Sequence, residues 1–498
     1  MPRPGVVEGF GGLPTVRVPH RIRKTVMIAG LRAIRGPMLN PLPMAGVEYW
    51  PDGVLVGDAR GRIVAVGAWT DIAARLNLEA AAVPRSRGLV LPPLLDAHIH
   101  IPQHPIRGRF AEGIGVDPPG GLLLASLARN VFPAEGRCEG PAHARHVVAD
   151  FLADTLANGV IGGAAYMTVH ARATRIALEQ LPEPWSVGLV LMNGRCPNDL
   201  RTDEPGLAED VSALARDFGR RLIVTDRFAV SVDTPLRKAG VALAKRHGLR
   251  MQTHLDEQRA EKRLVEDVLY PEAGSYTGVY ARDGLLDCEP ILAHCIHVRP
   301  EEVELIAATA SSIAHCPVSN TLLGSGVMPL DTIRAAGIPH ALCTDVGASP
   351  TTSLFCEMAQ FLKVHAASSA AATPEEALRL VTVAPARLLG MGDRIGSFAP
   401  GMEWSFIEVA SEGPAPATAR EAILHGLLRM SEADLAPWRQ PDDPRFAAVR
   451  RLRGEGLDWG HDLATLEADV RATVARVEHR VRRVTRGGET VWESHGAV

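Results

Sequence analysis

The sequence predicts an α/β fold in which a (β/α)₈ TIM barrel carries a smaller β-sandwich-like domain built from both ends of the chain. Three observations support this fold class. With 498 residues, of which 46% are apolar, the chain is long enough for one large barrel and a smaller second domain. Between residues 89 and 394, short apolar runs alternate with longer helical segments, as βα units do. Segments with β-type patterns flank this region on both sides.

Residues 1–88 are predicted to form the N-terminal part of the small domain. Short apolar runs lie at residues 26–28, 53–56 and 63–66, and turn signals such as Pro51-Asp52-Gly53 separate them. Residues 89–394 are predicted to form the barrel, because the alternating pattern has the length of eight βα units. The apolar runs that represent its strands are residues 89–95, 187–192, 222–224, 291–293, 312–314 and 341–343.

Residues 395–498 are predicted to return to the small domain, with an extra segment at about 412–480. Residues 395–407 suggest one or two strands, and residues 412–460 look irregular because they are rich in Pro, Arg and Asp. An amphipathic helix is predicted from apolar residues spaced by three and four: Leu463, Leu466, Val470, Val474, Val477 and Val481. A closing hairpin is predicted over residues 484–492, centred on Gly487-Gly488.

Composition restricts the partners and the compartment. The formal net charge of −4 argues against nucleic acid or an anionic membrane as the main partner. The chain has seven Cys and no CxxC motif, which predicts free thiols in a reducing compartment. No apolar run approaches the ~18 residues of a membrane span, and residues 1–30 lack a signal-type pattern. We therefore expect a cytoplasmic protein.

The strongest local motif is Asp96-Ala97-His98-Ile99-His100, which directly follows the first apolar run of the barrel. On a strand, residues i and i+2 point to the same face, so both imidazoles are predicted to enter one site. In (β/α)₈ barrel enzymes the active site lies at the carboxyl ends of the strands. An isolated HxH pattern arises often by chance in a chain with 18 His, so the motif needs further partners.

Three more polar residues stand where an apolar run stops, namely His254, His294 and Asp345. Each one alone is explained as a surface or core-edge group, but all of them at strand ends predict a shared site. Neutral imidazoles with one or two carboxylates suit a borderline divalent ion such as Zn²⁺ or Fe²⁺. The sequence therefore predicts a metal centre at one end of the barrel.

With these motifs the sequence resembles the amidohydrolase superfamily and, within it, the guanine deaminases. The resemblance runs from about residue 22 to 410. It is carried by Asp96-Ala97-His98-Ile99-His100-Ile101-Pro102-Gln103, Phe132-Pro133-Ala134-Glu135, Arg227-Phe228, Thr253-His254-Leu255-Asp256-Glu257, Leu292-Ala293-His294-Cys295, Ala314-His315-Cys316-Pro317-Val318-Ser319-Asn320 and Thr344-Asp345-Val346-Gly347.

The resemblance implies one Zn²⁺ per chain, with Fe²⁺ as an alternative, held by His98, His100, His254 and Asp345. Many members of the superfamily hold two ions bridged by a carboxylated Lys that lies between the first His pair and the third His. This chain has no Lys from residue 101 to 237, so that bridge is unavailable and a mononuclear site is favoured.

The resemblance also implies a reaction and a set of catalytic residues. Hydroxide formed at the metal attacks a ring carbon, and ammonia leaves. Glu257 is expected to shuttle protons, His294 to hydrogen-bond the reacting water, and Asp345 to accept its proton while it ligates the ion. For guanine the product is xanthine, a step of purine catabolism. A homodimer is the expected assembly.

Gln103, Arg227 and Phe228 are implied to line the pocket for the base. A guanidinium has only donors and fits the O6/N7 edge of guanine, whereas the amide of Gln103 both donates and accepts. The ring of Phe228 can cover a face of the base. An alternative is that Arg227 pairs with a neighbouring carboxylate, such as Asp226 or Asp233, and never meets the substrate.

This sequence departs from the guanine deaminase pattern at several positions. Asp256 stands where a small residue is usual, Val232 where Cys is common, and residues 122–124 are Leu where Trp is expected. Deamination or dechlorination of another heterocycle, such as a pterin, an oxidised purine or a triazine, therefore stays open. A noncatalytic metal-binding barrel is a further alternative, and its mark would be loss of Glu257 or Asp345, both of which are present.

Overall fold

The computed structural model describes residues 27–28, 30–115, 121–368, 370–412, 415–454 and 457–494, so residue 26 of the first predicted strand lies outside it. This part of the chain contains sixteen strands. They are β1 Met27–Ile28, β2 Leu31–Pro41, β3 Val47–Gly57, β4 Ile63–Ala68, β5 Leu89–Leu91, β6 Leu94–His100, β7 Val160–Tyr166, β8 Trp185–Leu191, β9 Leu222–Asp226, β10 Arg250–Leu255, β11 Ile291–His294, β12 Ser312–His315, β13 His340–Leu342, β14 Phe406–Val409, β15 Val481–Arg486 and β16 Glu489–Glu493.

Helices connect most of these strands. The α-helices of the described residues are α1 Trp69–Leu76, α2 Leu122–Ser126, α3 Phe132–Gly136, α4 Pro141–Ala157, α5 Ala171–Gln180, α6 Leu207–Phe218, α7 Thr234–His247, α8 Arg259–Arg263, α9 Tyr276–Asp283, α10 Pro300–Ala307, α11 Pro317–Leu322, α12 Leu330–Ala335, α13 Leu354–Val364, α14 Pro374–Leu380, α15 Val383–Leu388, α16 Ala419–Glu421, α17 Glu432–Leu435, α18 Pro444–Arg453 and α19 Asp462–Val477. The 3₁₀ and π segments are Ile101–Ile106, Leu127–Val131, Arg137–Glu139, Asn198–Leu200, Gly219–Arg221, Leu264–Leu269, Pro271–Ala273, Leu285–Asp287, Ala422–Leu427 and Ala436–Arg439. Within the described ranges, no helix combines the length and the apolar character needed to cross a membrane.

The predicted barrel is confirmed. Strands β6 to β13 are all parallel and follow one another in chain order across one sheet. The sheet closes where the chain leaves β13, because Asp345 N–H donates to the carbonyl of His98 and His100 N–H donates to that of Val346, both at 2.9 Å. The interior is filled largely by small side chains such as Ala97, Ala293 and Cys343, which leave space for the polar groups at the strand ends.

The small domain is built from both chain ends, as predicted. Its strands form one mixed sheet in the order β16-β15-β14-β5-β2-β3-β4, and β1 pairs with β2. The C-terminal strand β14 pairs antiparallel with β5, with Ile407 opposite Leu91. The predicted hairpin is formed by β15 and β16. The sheet packs its own apolar cluster around Trp404, Phe406 and Ile34.

The apolar run at residues 89–95 was expected to be a single barrel strand, and this was wrong. It divides into β5, which belongs to the small sheet, and β6, which opens the barrel. Pro92 and Pro93 separate the two, because proline has no N–H to donate to a ladder. The short run therefore carries the chain from one domain to the other.

Strand β7 was missed by the apolar pattern because its centre is Gly162-Gly163. The structure shows why glycine stands there. A Cβ on Gly163 would lie 1.7 Å from the carbonyl oxygen of Asp96 on the neighbouring strand β6. The close approach of β7 to the strand that carries the HxH motif therefore requires glycine.

Residues 412–460 were expected to be irregular, but the described part of this segment contains helices α16 to α18. Two prolines of this segment, Pro437 and Pro444, stand at helix starts, where a missing N–H costs nothing. Pro444 is the first residue of α18, and the side chain of Asp443 caps that helix by accepting from Arg445 N–H at 2.9 Å. The predicted amphipathic helix ends at Val477, since Val481 already begins β15.

Candidate metal centre and base pocket

The four predicted metal ligands lie together at the carboxyl end of the barrel. His98 and His100 end β6, His254 lies near the end of β10, and Asp345 follows β13. Each offers one ligand atom, and these atoms all lie within 4.8 Å of one another. Oδ1 of Asp345 lies 3.3 Å from Nε2 of His98 and 3.1 Å from Nε2 of His100.

The hydrogen bonds of the cluster leave ring nitrogens of the imidazoles without a donor, and these nitrogens lie close together. Nδ1–H of His254 donates to the carbonyl of Arg227 at 2.6 Å, so Nε2 carries no proton. That Nε2 lies 3.4 Å from Nε2 of His100. Both ring nitrogens of His98 are buried without a hydrogen bond to any described residue. Buried acceptors without donors are costly, and a divalent cation would satisfy them, so these residues fit a metal ion.

Second contacts hold the carboxylate in place. Ser319 Oγ–H donates to Oδ2 of Asp345 at 2.6 Å, which leaves Oδ1 for the imidazoles. Behind them Asp96 accepts from Thr344 Oγ1 at 2.6 Å and from His98 N–H at 3.1 Å. Burial raises the pKa of Asp96 to about 6, although these hydrogen bonds oppose the shift. Asp96 thereby ties the HxH strand to the segment that carries Asp345.

Glu257 and His294 form the next layer of the site. Ser325 Oγ–H donates to Oε1 of Glu257 at 2.9 Å, and Oε2 lies 3.6 Å from Nε2 of His294. Burial, together with the charge of Asp345, raises the pKa of Glu257 well above its ordinary value. Burial lowers the pKa of His294 to about 3. The side chain of Asn320 donates to Nδ1 of His294 at 2.8 Å, so the proton of the neutral ring sits on Nε2, towards Glu257.

Gln103, Arg227 and Phe228 are all buried beside this cluster. The ring of Phe228 lies 6.4 Å from that of His254, centroid to centroid. Gln103 and Arg227 converge on one carboxylate, that of Glu135. Nη1 of Arg227 lies 2.7 Å from both carboxylate oxygens, and Nε2 of Gln103 donates to Oε1 at 3.0 Å.

The carboxylates considered as alternative partners of Arg227 are engaged elsewhere. Asp226 accepts from Nε of Arg237 at 2.8 Å, and Asp233 caps α7 by accepting from Leu236 N–H at 3.0 Å. The side chain of Arg227 does form an ion pair, but with a residue from a different βα unit.

Asp256, which departs from the expected pattern, does not belong to the polar groups of the pocket. Its carboxylate accepts from Nζ of Lys262 at 2.8 and 2.9 Å, and the same ammonium group binds Glu302 at 2.6 Å. Its carbonyl accepts from the N–H groups of Ile296 and His297, both at 3.1 Å. Asp256 therefore anchors the turn that presents its neighbour Glu257.

The C-terminal segment reaches the neighbourhood of the site. A cavity of about 390 Å³ lies between the loops after the barrel strands and α19. Leu323, Ala348, Trp459, Leu463 and Val470 are among the residues that line it. The ring of Trp459 packs against the backbone of Gly324, next to Ser325. The contact is so close that a Cβ on residue 324 would lie 2.7 Å from the indole. The extra segment thus supports the loop that contacts Glu257.

Comparison with known families agrees with this geometry. The sequence model of the amidohydrolase family matches residues 89–433, which span the barrel and all the residues of the cluster. The chain belongs to the amidohydrolase family.

Several similar proteins carry the name guanine deaminase. A probable guanine deaminase from Deinococcus radiodurans is 32% identical over 381 residues, which cover 72% of this chain and 83% of that protein. The guanine deaminase of Escherichia coli K12 is 29% identical over 76% of this chain and 87% of its own length. A guanine deaminase structure from C. acetobutylicum, with guanine bound in its active site, superposes with a TM-score of 0.71 at 22% identity, covering 93% of this chain and all of that one.

Several residues of this amidohydrolase site were not assigned a role from the sequence. Glu135, Ser319 and Asn320 lie in the motifs that carried the resemblance, but nothing in those motifs indicates which way their side chains point. Ser325 stands in a Gly-Ser-Gly turn and gave no signal. The ring of Tyr166, at the end of β7, lies 4.5 to 5.0 Å from the rings of the three clustered imidazoles.

Proposed function

We propose that this protein hydrolyses guanine to xanthine and ammonia at a single metal ion, with Zn²⁺ as the expected metal. The observation that carries the proposal is the cluster of three imidazoles and the Asp345 carboxylate, whose ligand atoms all lie within 4.8 Å of one another. The buried side chains of Glu257, Arg227 and Gln103 lie beside this cluster. The relatives named guanine deaminase support the same substrate.

His98, His100, His254 and Asp345 would hold the ion. A divalent ion at such a site lowers the pKa of water from 15.7 towards ~7 and so supplies the nucleophile at neutral pH. The donor set favours Zn²⁺ over harder cations, with Fe²⁺ as the alternative. Asp345 would also accept a proton from the attacking water, and the hydrogen bond from Ser319 to its Oδ2 holds the carboxylate in place.

Glu257 delivers a proton to the ring nitrogen beside the attacked carbon C2, which prevents negative charge from building up on the ring. Burial, together with the charge of Asp345, raises the pKa of Glu257 well above its ordinary value, which favours the protonated form that this step needs. His294 directs its Nε2–H towards the same region and can hydrogen-bond the attacking oxygen. Asp345 would then pass its proton to the amino group, which leaves as ammonia. The hydroxyl added at C2 would return a proton to Glu257 as it becomes the carbonyl of xanthine, so that one water is consumed for each guanine.

The pocket favours guanine over adenine because of its hydrogen-bond polarity. Guanine presents O6 and N7 as acceptors, which match the donors of Arg227, and Gln103 can serve O6 and N1–H together. Adenine would place a donor amino group against the guanidinium, and each buried group left unpaired costs about 1–3 kcal/mol.

The first prediction tests this function directly. Purified metal-replete protein is incubated with guanine, adenine, a pterin and a triazine, and ammonia release is measured at steady state. We expect turnover of guanine and rejection of adenine by at least ~10²-fold in kcat/KM. Activity confined to the pterin or the triazine would contradict the guanine assignment, and no ammonia from any compound would favour a noncatalytic binding protein. The homodimer and the cytoplasmic location stay predictions.

A further inference from the structure

A buried carboxylate joins the two side chains that we propose to recognise the base. Glu135 lies on α3, in the insertion between β6 and β7, and only 1% of its surface is exposed. Nη1 of Arg227 lies 2.7 Å from each of its oxygens, and Nε2 of Gln103 lies 3.0 Å from Oε1. All three side chains are thus enclosed in one hydrogen-bonded unit.

This unit fixes the orientation of the Gln103 amide from both ends. A carboxylate only accepts hydrogen bonds, so the NH₂ group of Gln103 must face Glu135. At the other end, Gly347 N–H donates to Oε1 of Gln103 at 3.4 Å. A flipped amide would place oxygen against the carboxylate and NH₂ against an N–H donor. Glycine permits this close approach, because a Cβ at residue 347 would lie 2.8 Å from the carbonyl oxygen of Gln103.

The same carboxylate determines which donors of Arg227 remain. Glu135 occupies Nη1, whereas Nε and Nη2 make no hydrogen bond to a residue in the described ranges. The pair also compensates a guanidinium that would otherwise be charged and buried without a partner. Because the carbonyl of Arg227 accepts from His254 Nδ1, the position of this residue is coupled to the metal cluster as well.

We propose that Glu135 is a positioning residue that sets the hydrogen-bond polarity of the base pocket. By holding Arg227 and Gln103 in fixed orientations, it makes the pocket select heterocycles with an acceptor oxygen next to a ring N–H. Heterocycles with an amino group at that edge are disfavoured. This inference rests on the proposed function, since it assumes that these two side chains meet the base.

A purely structural role would give a different result. If the ion pair only fastened α3 to the barrel, its loss would reduce the amount of folded protein and weaken all ligands to a similar degree. A role in polarity instead changes the ratio between two ligands that differ only at the recognised edge. 2,6-Diaminopurine is such a probe, because it keeps the 2-amino group of guanine but has an amino group and a bare ring nitrogen in place of O6 and N1–H.

The experiment measures dissociation constants of guanine and 2,6-diaminopurine calorimetrically, in a Glu257→Gln background where chemistry is slow. Glu135→Gln is then added. Its amide has one acceptor oxygen for the two donors and turns an NH₂ group towards one of them. We expect the preference for guanine to fall by about 10- to 100-fold, which corresponds to one or two mispaired buried groups. Glu135→Asp keeps both oxygens and should retain most of the preference.

Asp469→Asn serves as the control, because it weakens another largely buried ion pair, that of Asp469 with Lys363, which shares no residue with the Glu135 unit. It should leave the ratio unchanged. An unchanged ratio in Glu135→Gln, whether both affinities fall together or neither does, would overturn the proposal, as would failure of the wild-type pocket to bind either base. Selective binding of guanine that depends on Glu135 but is not followed by ammonia release in the wild type would support this inference and contradict the proposed function.

Discussion

Glu257 and His294 face each other across 3.6 Å, but the site does not make them an ion pair. Burial raises the pKa of Glu257 well above its ordinary value and lowers that of His294 to about 3, so it favours the protonated acid and the neutral imidazole. An uncharged pair keeps the proton of Glu257 available for transfer, whereas an ion pair would have lost it to the histidine. The hydrogen bond from Ser325 leaves Oε2 of Glu257 as the oxygen on the side of His294.

Glu257→Gln is therefore expected to separate chemistry from metal binding. The amide has nearly the same shape but cannot shuttle protons, so guanine turnover should fall by roughly 10²–10⁴-fold while metal content stays near that of the wild type. His98→Ala should lose metal and activity together. Metal analysis of each purified variant, combined with steady-state rates, checks both statements. Loss of metal from Glu257→Gln would mean that this glutamate is a ligand.

The sequence predicted which residues meet at the metal cluster, because strand period and strand ends are local properties. It did not predict the partner of Arg227. Glu135 is 92 positions away along the chain, and its approach depends on how the insertion that carries α3 packs over the barrel mouth. No local pattern encodes that packing. The motif that contains Glu135 therefore indicated the family but not the part that this residue plays in the site.

Helix α19 is fastened to the barrel by a largely buried ion pair. Nζ of Lys363 on α13 lies 2.5 Å from Oδ2 of Asp469 and 2.6 Å from Oγ1 of Thr473, both on α19. The ammonium group also lies 5.5 Å from the ring centroid of Trp438. Lys363 is 1% exposed and Asp469 15%, so the lysine depends on the helix for its counter-charge.

Asp469→Ala is expected to destabilise the protein by about 2–4 kcal/mol, because it leaves the charge of Lys363 buried and unpaired. Lys363→Met, which removes the buried charge itself, should cost less. Urea unfolding followed by circular dichroism measures both. Glu467→Ala on the same helix is the control, since its pair with Arg471 is exposed and worth at most about 0.5 kcal/mol. Equal effects of Asp469→Ala and Glu467→Ala would show that the buried pair does not hold α19.

At the level of elements, prolines account for two errors of the sequence-based prediction, and the glycines of β7 account for a third. Pro92-Pro93 divided one apolar run between two sheets, and Pro444 started a helix in a segment that looked irregular. In both places proline marked the boundary of an element, but the sequence alone did not show whether a strand or a helix followed it. The amphipathic helix and the closing hairpin needed no such context and were predicted within a few residues.

Among the residues that the structure describes, one group offers a complete set of ligands for a borderline metal ion. A second group of acidic residues, Asp256, Glu266 and Glu302, surrounds the ammonium group of Lys262, which already balances part of their charge. The barrel also lacks the lysine that would bridge two ions between residues 101 and 237. Both observations favour a single ion at the imidazole cluster.

Metal-replete protein is therefore expected to contain about one equivalent of Zn²⁺ or Fe²⁺ per chain after loose ions are removed. Chelation should abolish guanine turnover and lower the thermal unfolding midpoint, because an ion bound only by the folded state stabilises that state. Elemental analysis and calorimetry measure the two effects. Two tightly held ions per chain, or an unfolding midpoint that does not respond to chelation, would contradict this description.

The sheet assembled from both chain ends has a consequence for biosynthesis. Strand β5 emerges from the ribosome more than 300 residues before β14, its antiparallel neighbour. At roughly 5–20 residues per second, its edge waits about 15–60 seconds for that partner. An unpaired apolar edge is a template for pairing with other chains during this interval. Truncation of the C-terminal strands would make that exposure permanent, so their loss would promote aggregation even where the metal cluster is left intact.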